Sequence, residues 1–132
     1  MGEPENNRES RYNHLLWQLE YTSEFGRTLK RYQKKHREAI AQLMSNFEKV
    51  HEALNLGCKP QSLTTKHIHS ESQGILAVDQ RGGKGKTKEL RLYIWPCTSN
   101  STIYVLKIGE KNRQSEDIEW CKNCVTKIEE EK

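Results

Sequence analysis

The chain has 132 residues, of which 33% are hydrophobic and 30% are charged, and its formal net charge at pH 7 is +4. This length suits one domain with a hydrophobic core, so we expect a single domain over residues 14–132 after a flexible tail over residues 1–13. No stretch approaches the roughly 18 apolar residues of a membrane-spanning helix, and the polar start lacks the apolar run of a secretory signal. We therefore expect a cytoplasmic protein without a membrane partner.

The four cysteines, at positions 58, 97, 121 and 124, are expected to be reduced thiols because no secretory signal precedes them. Cys121 and Cys124 form a CxxC motif, but it falls within a predicted helix and has no second pair. His67 and His69 could complete a zinc site only through a fold contact that nothing in the sequence indicates. Such cysteines more often pack as small hydrophobic side chains, so we expect neither a metal nor a cofactor.

The first predicted element is a strand with one buried face. Its apolar positions alternate with the others at the period of a strand, and they are Leu15, Trp17, Leu19 and Tyr21. Thr22 follows as a hydroxyl N-cap and predicts that a helix begins there.

A helical hairpin is predicted to follow. An apolar stripe at helical spacing begins at Phe25 and is interrupted by the basic stretch 33–37, then resumes at Ile40 and continues to Leu54. Two packed helices fit this interruption better than one long helix, and Gly57 has the position of a C-terminal cap.

Three strands and a last helix complete the predicted order. Residues 58–73 are polar and leave open a loop or an edge strand, whereas strands are predicted over 74–78, 89–95 and 102–108. A helix begins at 114 with an apolar stripe formed by Ile118, Cys121, Val125 and Ile128. The sequence thus predicts an α+β fold: an N-terminal strand, a helical hairpin, a three-stranded antiparallel meander and a C-terminal helix.

Positive charge is concentrated in the segments 27–37, 81–91 and 107–113, while acids collect near the C-terminus. Basic surfaces attract polyanions and speed encounter with them. The alternative is that these charges only solvate exposed helix faces, and we favour that alternative for the first segment.

The order of elements, combined with three local strings, resembles the RelE/ParE superfamily of bacterial toxins over about residues 14 to 128. The strings are Tyr21-Thr22-Ser23-Glu24-Phe25 with Leu29-Lys30, then Leu90-Arg91-Leu92-Tyr93, and Ile103-Tyr104-Val105-Leu106 with Gly109-Glu110-Lys111. The resemblance implies a toxin held inactive by a cognate antitoxin. Members of the RelE branch cut mRNA on the ribosome without a metal, and members of the ParE branch poison DNA gyrase.

Candidate catalytic residues follow from this resemblance. Arg91 matches the strand arginine that RelE-like enzymes use on the scissile phosphate, and Arg81 resembles the basic residue closing the preceding strand. Lys111 and Arg113 match the basic positions after the glycine of the last strand. Strand alternation places Arg91 and Tyr93 on the face opposite the leucines, which is open if the leucines face the helical hairpin.

The general base for the ribose 2′-hydroxyl is left between two alternatives. One is Asp79, and the other is a lysine among Lys84, Lys86 and Lys88, because crowding by like charges lowers a lysine pKa. The chain departs from some family members, since it lacks a C-terminal His or His–Tyr pair and carries Asp117 where others have a tyrosine.

Contacts to RNA are expected from the basic loop 80–87 and from neighbouring side chains. The loop ends like a P-loop, but Gln80 replaces the first glycine and a strand follows instead of a helix, so we reject nucleotide hydrolysis. A hairpin loop that contacts phosphates fits better, with aromatic rings stacking on bases. The expected RNA-binding residues are Lys84, Lys86, Lys88, Trp95 and Lys107.

The predicted function is that of a type II toxin, an mRNA endoribonuclease that needs no metal and acts on the ribosome. The alternatives are a gyrase-binding toxin without nuclease chemistry and an inactive relative of the fold. Under the first prediction, Arg91→Ala leaves the fold intact and abolishes toxicity, although a strand arginine is often only a salt-bridge partner.

Overall fold

The computed structural model describes residues 16–63, 67–80 and 88–131. The expected tail over residues 1–13 and the basic segment 81–87 lie outside the described residues. The helices and strands, in chain order, are β1 Gln18–Tyr21, α1 Ser23–Lys35, α2 Arg37–Asn55, β2 Ile68–Ser70, β3 Leu76–Asp79, β4 Leu90–Cys97, β5 Thr102–Glu110 and α3 Gln114–Glu130. Short 3₁₀ turns lie at Pro60–Ser62, Ser72–Gly74 and Lys111–Arg113.

The strands form one mixed sheet in the order β1-β5-β4-β3-β2. Strand β1 is parallel to β5, and the other neighbours are antiparallel. The predicted α+β fold class is confirmed. The stretch left open between a loop and an edge strand contains the short strand β2, so the meander has four strands.

The helical hairpin begins and ends where its capping residues predict. Thr22 caps α1, because its side-chain oxygen accepts a hydrogen bond from the Phe25 N–H at 3.0 Å. The chain leaves helical geometry at His36, whose φ and ψ are −132° and 51°. Gly57, just after α2, has a φ of +103°, which only glycine adopts readily.

The predicted buried face of the first strand is only partly formed. Trp17 and Leu19 are half-buried, whereas Tyr21 is 52% exposed. The prediction is therefore wrong at Tyr21. The physical reason is that β1 is an edge strand only four residues long, so no further strand covers the outer side of Tyr21 within the described chain.

Both faces of the sheet are covered by helices. The residues Leu90, Leu92 and Ile94 pack under α1 and α2, and the alternate residues Tyr93 and Trp95 pack under α3. The expectation that this second face is open is wrong, because the apolar stripe of α3 is buried against it. Within the part of the chain that the structure describes, no helix has the length and apolar content to cross a membrane.

Helix α1 completes the hydrogen bonding along one edge of β5. Strand β1 pairs with β5 only as far as Val105. Beyond that point the Thr22 hydroxyl donates to the Leu106 carbonyl oxygen at 2.6 Å, and the Ile108 N–H donates to the Thr28 hydroxyl oxygen at 3.0 Å. Thr28 is fully buried, so no water substitutes for its hydroxyl. The two threonines therefore fix α1 against the sheet.

The variant Thr28→Val should lower the free energy of unfolding by about 1–3 kcal/mol, because it leaves the buried Ile108 N–H without an acceptor. Thr28→Ser keeps the hydroxyl and should recover most of this stability. Urea unfolding of the two variants beside the wild type measures the difference. Equal stability of the valine and serine variants would contradict a structural role for the hydroxyl.

Candidate functional site

Arg91 lies in a buried polar network that joins three elements. In the sheet it is opposite Asp79 on β3, and its Nε is 3.0 Å from Asp79 Oδ1. Its guanidinium also donates to the side-chain oxygen of Gln114, the first residue of α3. The other Asp79 oxygen, Oδ2, is 2.8 Å from His69 Nε2. Arg91 is only 8% exposed, so it is held firmly and is poorly accessible.

This network changes what Asp79 and Arg91 are expected to do. Asp79 orients Arg91, and a ribose hydroxyl could reach its carboxylate only if the network opened. Removing one partner of a buried ion pair leaves the other charge uncompensated, which is strongly destabilising. The expectation that Arg91→Ala leaves the fold intact therefore disagrees with the structure.

Lys107, expected to contact RNA, lies largely covered beneath α3, with its side chain 12% exposed. Its Nζ is 2.7 Å from Asp117 Oδ1 and 3.8 Å from Glu24 Oε2. The same ammonium lies over the ring of Trp120, 5.4 Å from its centroid. Two carboxylates and an aromatic ring thus enclose the Lys107 charge, which disfavours the predicted contact with RNA.

Tyr93 and Trp95 are also enclosed by α3. Burial raises the pKa of Tyr93 far above its ordinary value, and the nearby charge of Asp117 raises this pKa further. The Tyr93 hydroxyl has no hydrogen-bond partner among the described residues. Trp95 is buried and stacks on Tyr104, with ring centroids 5.3 Å apart. Neither ring offers an open surface for stacking on a base.

Asp117 and Gly109 form a close contact that sequence reasoning missed. A Cβ atom added at Gly109 would lie 1.9 Å from Asp117 Oδ2, so β5 needs a glycine where the first turn of α3 crosses it. The sequence indicated Asp117 only as a departure from the family pattern. The available signal was Gly109 itself, because a glycine inside a strand often marks a place where another part of the molecule approaches the strand closely.

The variant Gly109→Ala should therefore lower the free energy of unfolding by about 1–3 kcal/mol through overpacking, measured by urea unfolding. Gly26→Ala is the matched control. An added Cβ at Gly26 meets nothing within 4 Å, and a helix interior gains roughly 0.5–1 kcal/mol from alanine.

When Asp117 is also replaced by alanine, Gly109→Ala should lower the free energy of unfolding by clearly less, because the clashing carboxylate is gone. An unchanged effect of Gly109→Ala in that case would show that the clash lies elsewhere.

Exposed cations surround a cleft at the end of the sheet where β4 begins and β5 ends. We call it the cationic cleft; its volume is about 200 Å³, and it is lined by Lys88, Glu89, Glu110, Lys111 and Asn112. Lys88 Nζ is 2.6 Å from Glu110 Oε1, and Lys111 Nζ is 3.5 Å from Glu89 Oε2. Each ammonium of the cleft thus has one carboxylate of the cleft as its ion-pair partner.

Hydrogen bonding within the cationic cleft sets its charge states. The bond from Lys88 lowers the pKa of Glu110, and the Tyr32 hydroxyl, 3.2 Å from Glu110 Oε2, lowers it further. The same bond to Glu110 raises the pKa of Lys88. Lys88 therefore stays protonated near neutral pH, which suits a phosphate-binding cation and disfavours the predicted role of general base.

The predicted site residues fall into three groups. Four are buried under or beside α3, and Lys107 is largely covered there; the four are Arg91, Asp79, Tyr93 and Trp95. The cations Lys88, Lys111 and Arg113 are exposed around the cationic cleft, where Arg113 pairs with Glu116 at 2.6 Å. The remaining three, Arg81, Lys84 and Lys86, lie outside the described residues. Among the described side chains no group of three or more His, Cys, Asp or Glu residues is placed to hold a metal ion.

Comparison with known proteins gives one similar fold. No family model matches the chain, and no curated protein shows a significant match. A solved structure of the E. coli toxin RelE, a mutant with two arginines replaced by alanine in the free state, has a TM-score of 0.47 and 15% sequence identity to this chain. The alignment covers 78% of this chain and 90% of that chain.

Proposed function

We propose that this protein is a toxin that binds mRNA at the cationic cleft, cleaves it on the ribosome without a metal ion, and is held inactive by a cognate antitoxin. The observation that supports the proposal is the cleft itself, where two exposed lysines and two carboxylates lie together at the end of the sheet where β4 begins. Cations bind phosphate and stabilise the charge of a phosphorane, while a carboxylate accepts a proton.

Glu89 is the proposed general base. Its side chain is 71% exposed and lies 3.5 Å from the Lys111 ammonium, so a ribose hydroxyl can reach its carboxylate. In the proposed reaction it takes the proton of the 2′-hydroxyl as the 2′ oxygen bonds to phosphorus. The bond from phosphorus to the 5′ oxygen then breaks, and water protonates the departing oxygen.

The cations have separate roles in this proposal. Lys88 and Lys111 stabilise the additional negative charge on the phosphorane, because both ammonium groups border the cleft. Arg113 attracts the phosphates of the RNA on either side of the cleaved bond. Arg91 is a positioning residue, since it fixes the start of α3 through Gln114, directly after the 3₁₀ turn that carries Lys111 and Arg113.

The double variant Lys88→Ala/Lys111→Ala should reduce mRNA cleavage by about 100-fold or more, because it removes the charge that stabilises the transition state. Primer extension on a defined mRNA in a cell-free translation extract, with purified protein added, measures the rate. Lys49→Ala/Lys59→Ala removes the same charge from exposed positions on α2 and the loop after it, and should cleave normally.

Glu89→Gln should retain RNA binding and lose cleavage, since it removes the proton acceptor but no cation. Intact mRNA with the wild-type protein, whether or not ribosomes translate it, would reject the nuclease. Equal losses in the cleft and control variants would show that net charge matters and the cationic cleft does not.

One observation favours a second candidate function, a toxin that binds DNA gyrase without chemistry. The β4 residues Arg91, Tyr93 and Trp95 are sealed by α3, so the strand face that would carry catalysis is closed. Such a toxin would arrest growth while leaving mRNA intact, and gyrase–DNA cleavage complexes would accumulate in the arrested cells.

A further inference from the structure

Another cleft lies between the edge strand β1 and the last turn of α3, at the far end of α3 from the cationic cleft. Its volume is about 330 Å³, and it is lined by Glu20, Tyr21, Thr22, Tyr104, Ile128 and Glu131. We call it the acidic cleft. None of its lining residues belongs to the network of Arg91 or to the cationic cleft, so the proposed nuclease does not account for it.

The ring of Tyr104 gives the acidic cleft one rigid aromatic wall. Tyr104 is opposite Glu20 in the sheet and its ring stacks on Trp95, with centroids 5.3 Å apart, on the face that α3 covers. The Tyr21 ring lies on the other face of the sheet, where it stacks on Phe25. A side chain already held in place loses little conformational entropy when a ligand binds, so the Tyr104 ring is prepared for contact.

The charge around the acidic cleft selects a cation. Glu20 and Glu131 border it from opposite sides, and the C-terminal end of α3 adds the negative end of the helix dipole. Lys127 is the one basic residue in the last turn of α3. This negative site stands out on a protein whose net charge is +4.

The edge of β1 beside the cleft is open to another strand. The main-chain N–H of Gln18 donates to the Ser101 carbonyl oxygen just before β5, and that of Thr22 donates to the Val105 carbonyl oxygen in β5. Alternation along a parallel strand turns the main-chain groups of Leu19 and Tyr21 to the other side, where no further strand pairs within the described chain. An extended peptide could therefore add to β1 and place one side chain in the acidic cleft.

We propose that the acidic cleft binds an arginine side chain presented by an extended segment of a partner protein, which adds as a strand along β1. The planar guanidinium suits this site better than an ammonium, because it can stack on the Tyr104 ring while its several N–H groups donate to Glu20 and Glu131. This interaction is independent of RNA cleavage, and either proposal can fail without the other.

The test is a titration of the full-length ¹⁵N-labelled protein with the peptide acetyl-Thr-Val-Arg-Val-Thr-amide, followed by amide chemical shifts. Saturable shifts should concentrate at residues 19–22, 104 and 128–131. The same peptide with citrulline in place of arginine keeps the shape without the charge, and should bind about 10-fold more weakly or worse.

The double variant Glu20→Gln/Glu131→Gln should lower the affinity for the arginine peptide by about 10-fold. The control variant Glu48→Gln/Glu52→Gln makes the same charge change on the exposed face of α2 and should leave the affinity unchanged. Equal binding of the two peptides, shifts spread over the whole acidic surface, or no shifts at all would each overturn the proposal. Concentration-dependent shifts at β1 without peptide would assign this edge to a second copy of the chain and would also overturn it.

Discussion

The fold depends on the way α1 completes the hydrogen bonding of β5. Strand β5 is the central partner of both β1 and β4, and most of it is buried on both faces. Its ladder to β1 ends at Val105, so the main chain beyond that point would lack partners in a buried environment. The hydroxyls of Thr22 and Thr28 supply those partners. Because Thr22 also caps α1, one residue sets both where the helix begins and where it lies on the sheet.

Helix α3 is held to the opposite face by polar contacts as well as by its apolar stripe. Gln114 accepts from Arg91, and Asp117 pairs with Lys107. Both contacts lie in the first turn of the helix and fix its start. In the middle of the helix, the side chains of Cys121 and Val125 are buried against the sheet. The cost is that two cations from the basic segments are withdrawn from the surface. Of the predicted site residues that the structure describes, only Lys88, Lys111 and Arg113 keep an exposed positive charge for a polyanion.

Local patterns in the sequence predicted the elements, and tertiary contacts decided the exposure of the site. The interrupted apolar stripe predicted the helical hairpin, and Thr22 predicted where it begins. Alternation along β4 correctly predicted that its leucines and Arg91 lie on opposite faces of the sheet. Whether the face that carries Arg91 is covered was not predictable from these periods, because it depends on where α3 returns to the sheet. Lys107 illustrates the same point: its basic character is local, but its partners Glu24 and Asp117 come from both helical layers. The cationic cleft depends on pairing between β4 and β5, and only Lys88 and Lys111 among its residues were named in advance.

The two clefts lie at opposite ends of α3, and this separation constrains how a partner could control the protein. The helix has 17 residues, so its ends are roughly 25 Å apart at the usual rise per residue. A peptide bound at the acidic cleft alone could not cover the cationic cleft. It could influence RNA only by shifting α3, whose first turn anchors Arg91, or by extending along the molecule to the other end. A partner that occupies the acidic cleft therefore needs either a coupled helix or a second contact region to inhibit the proposed nuclease.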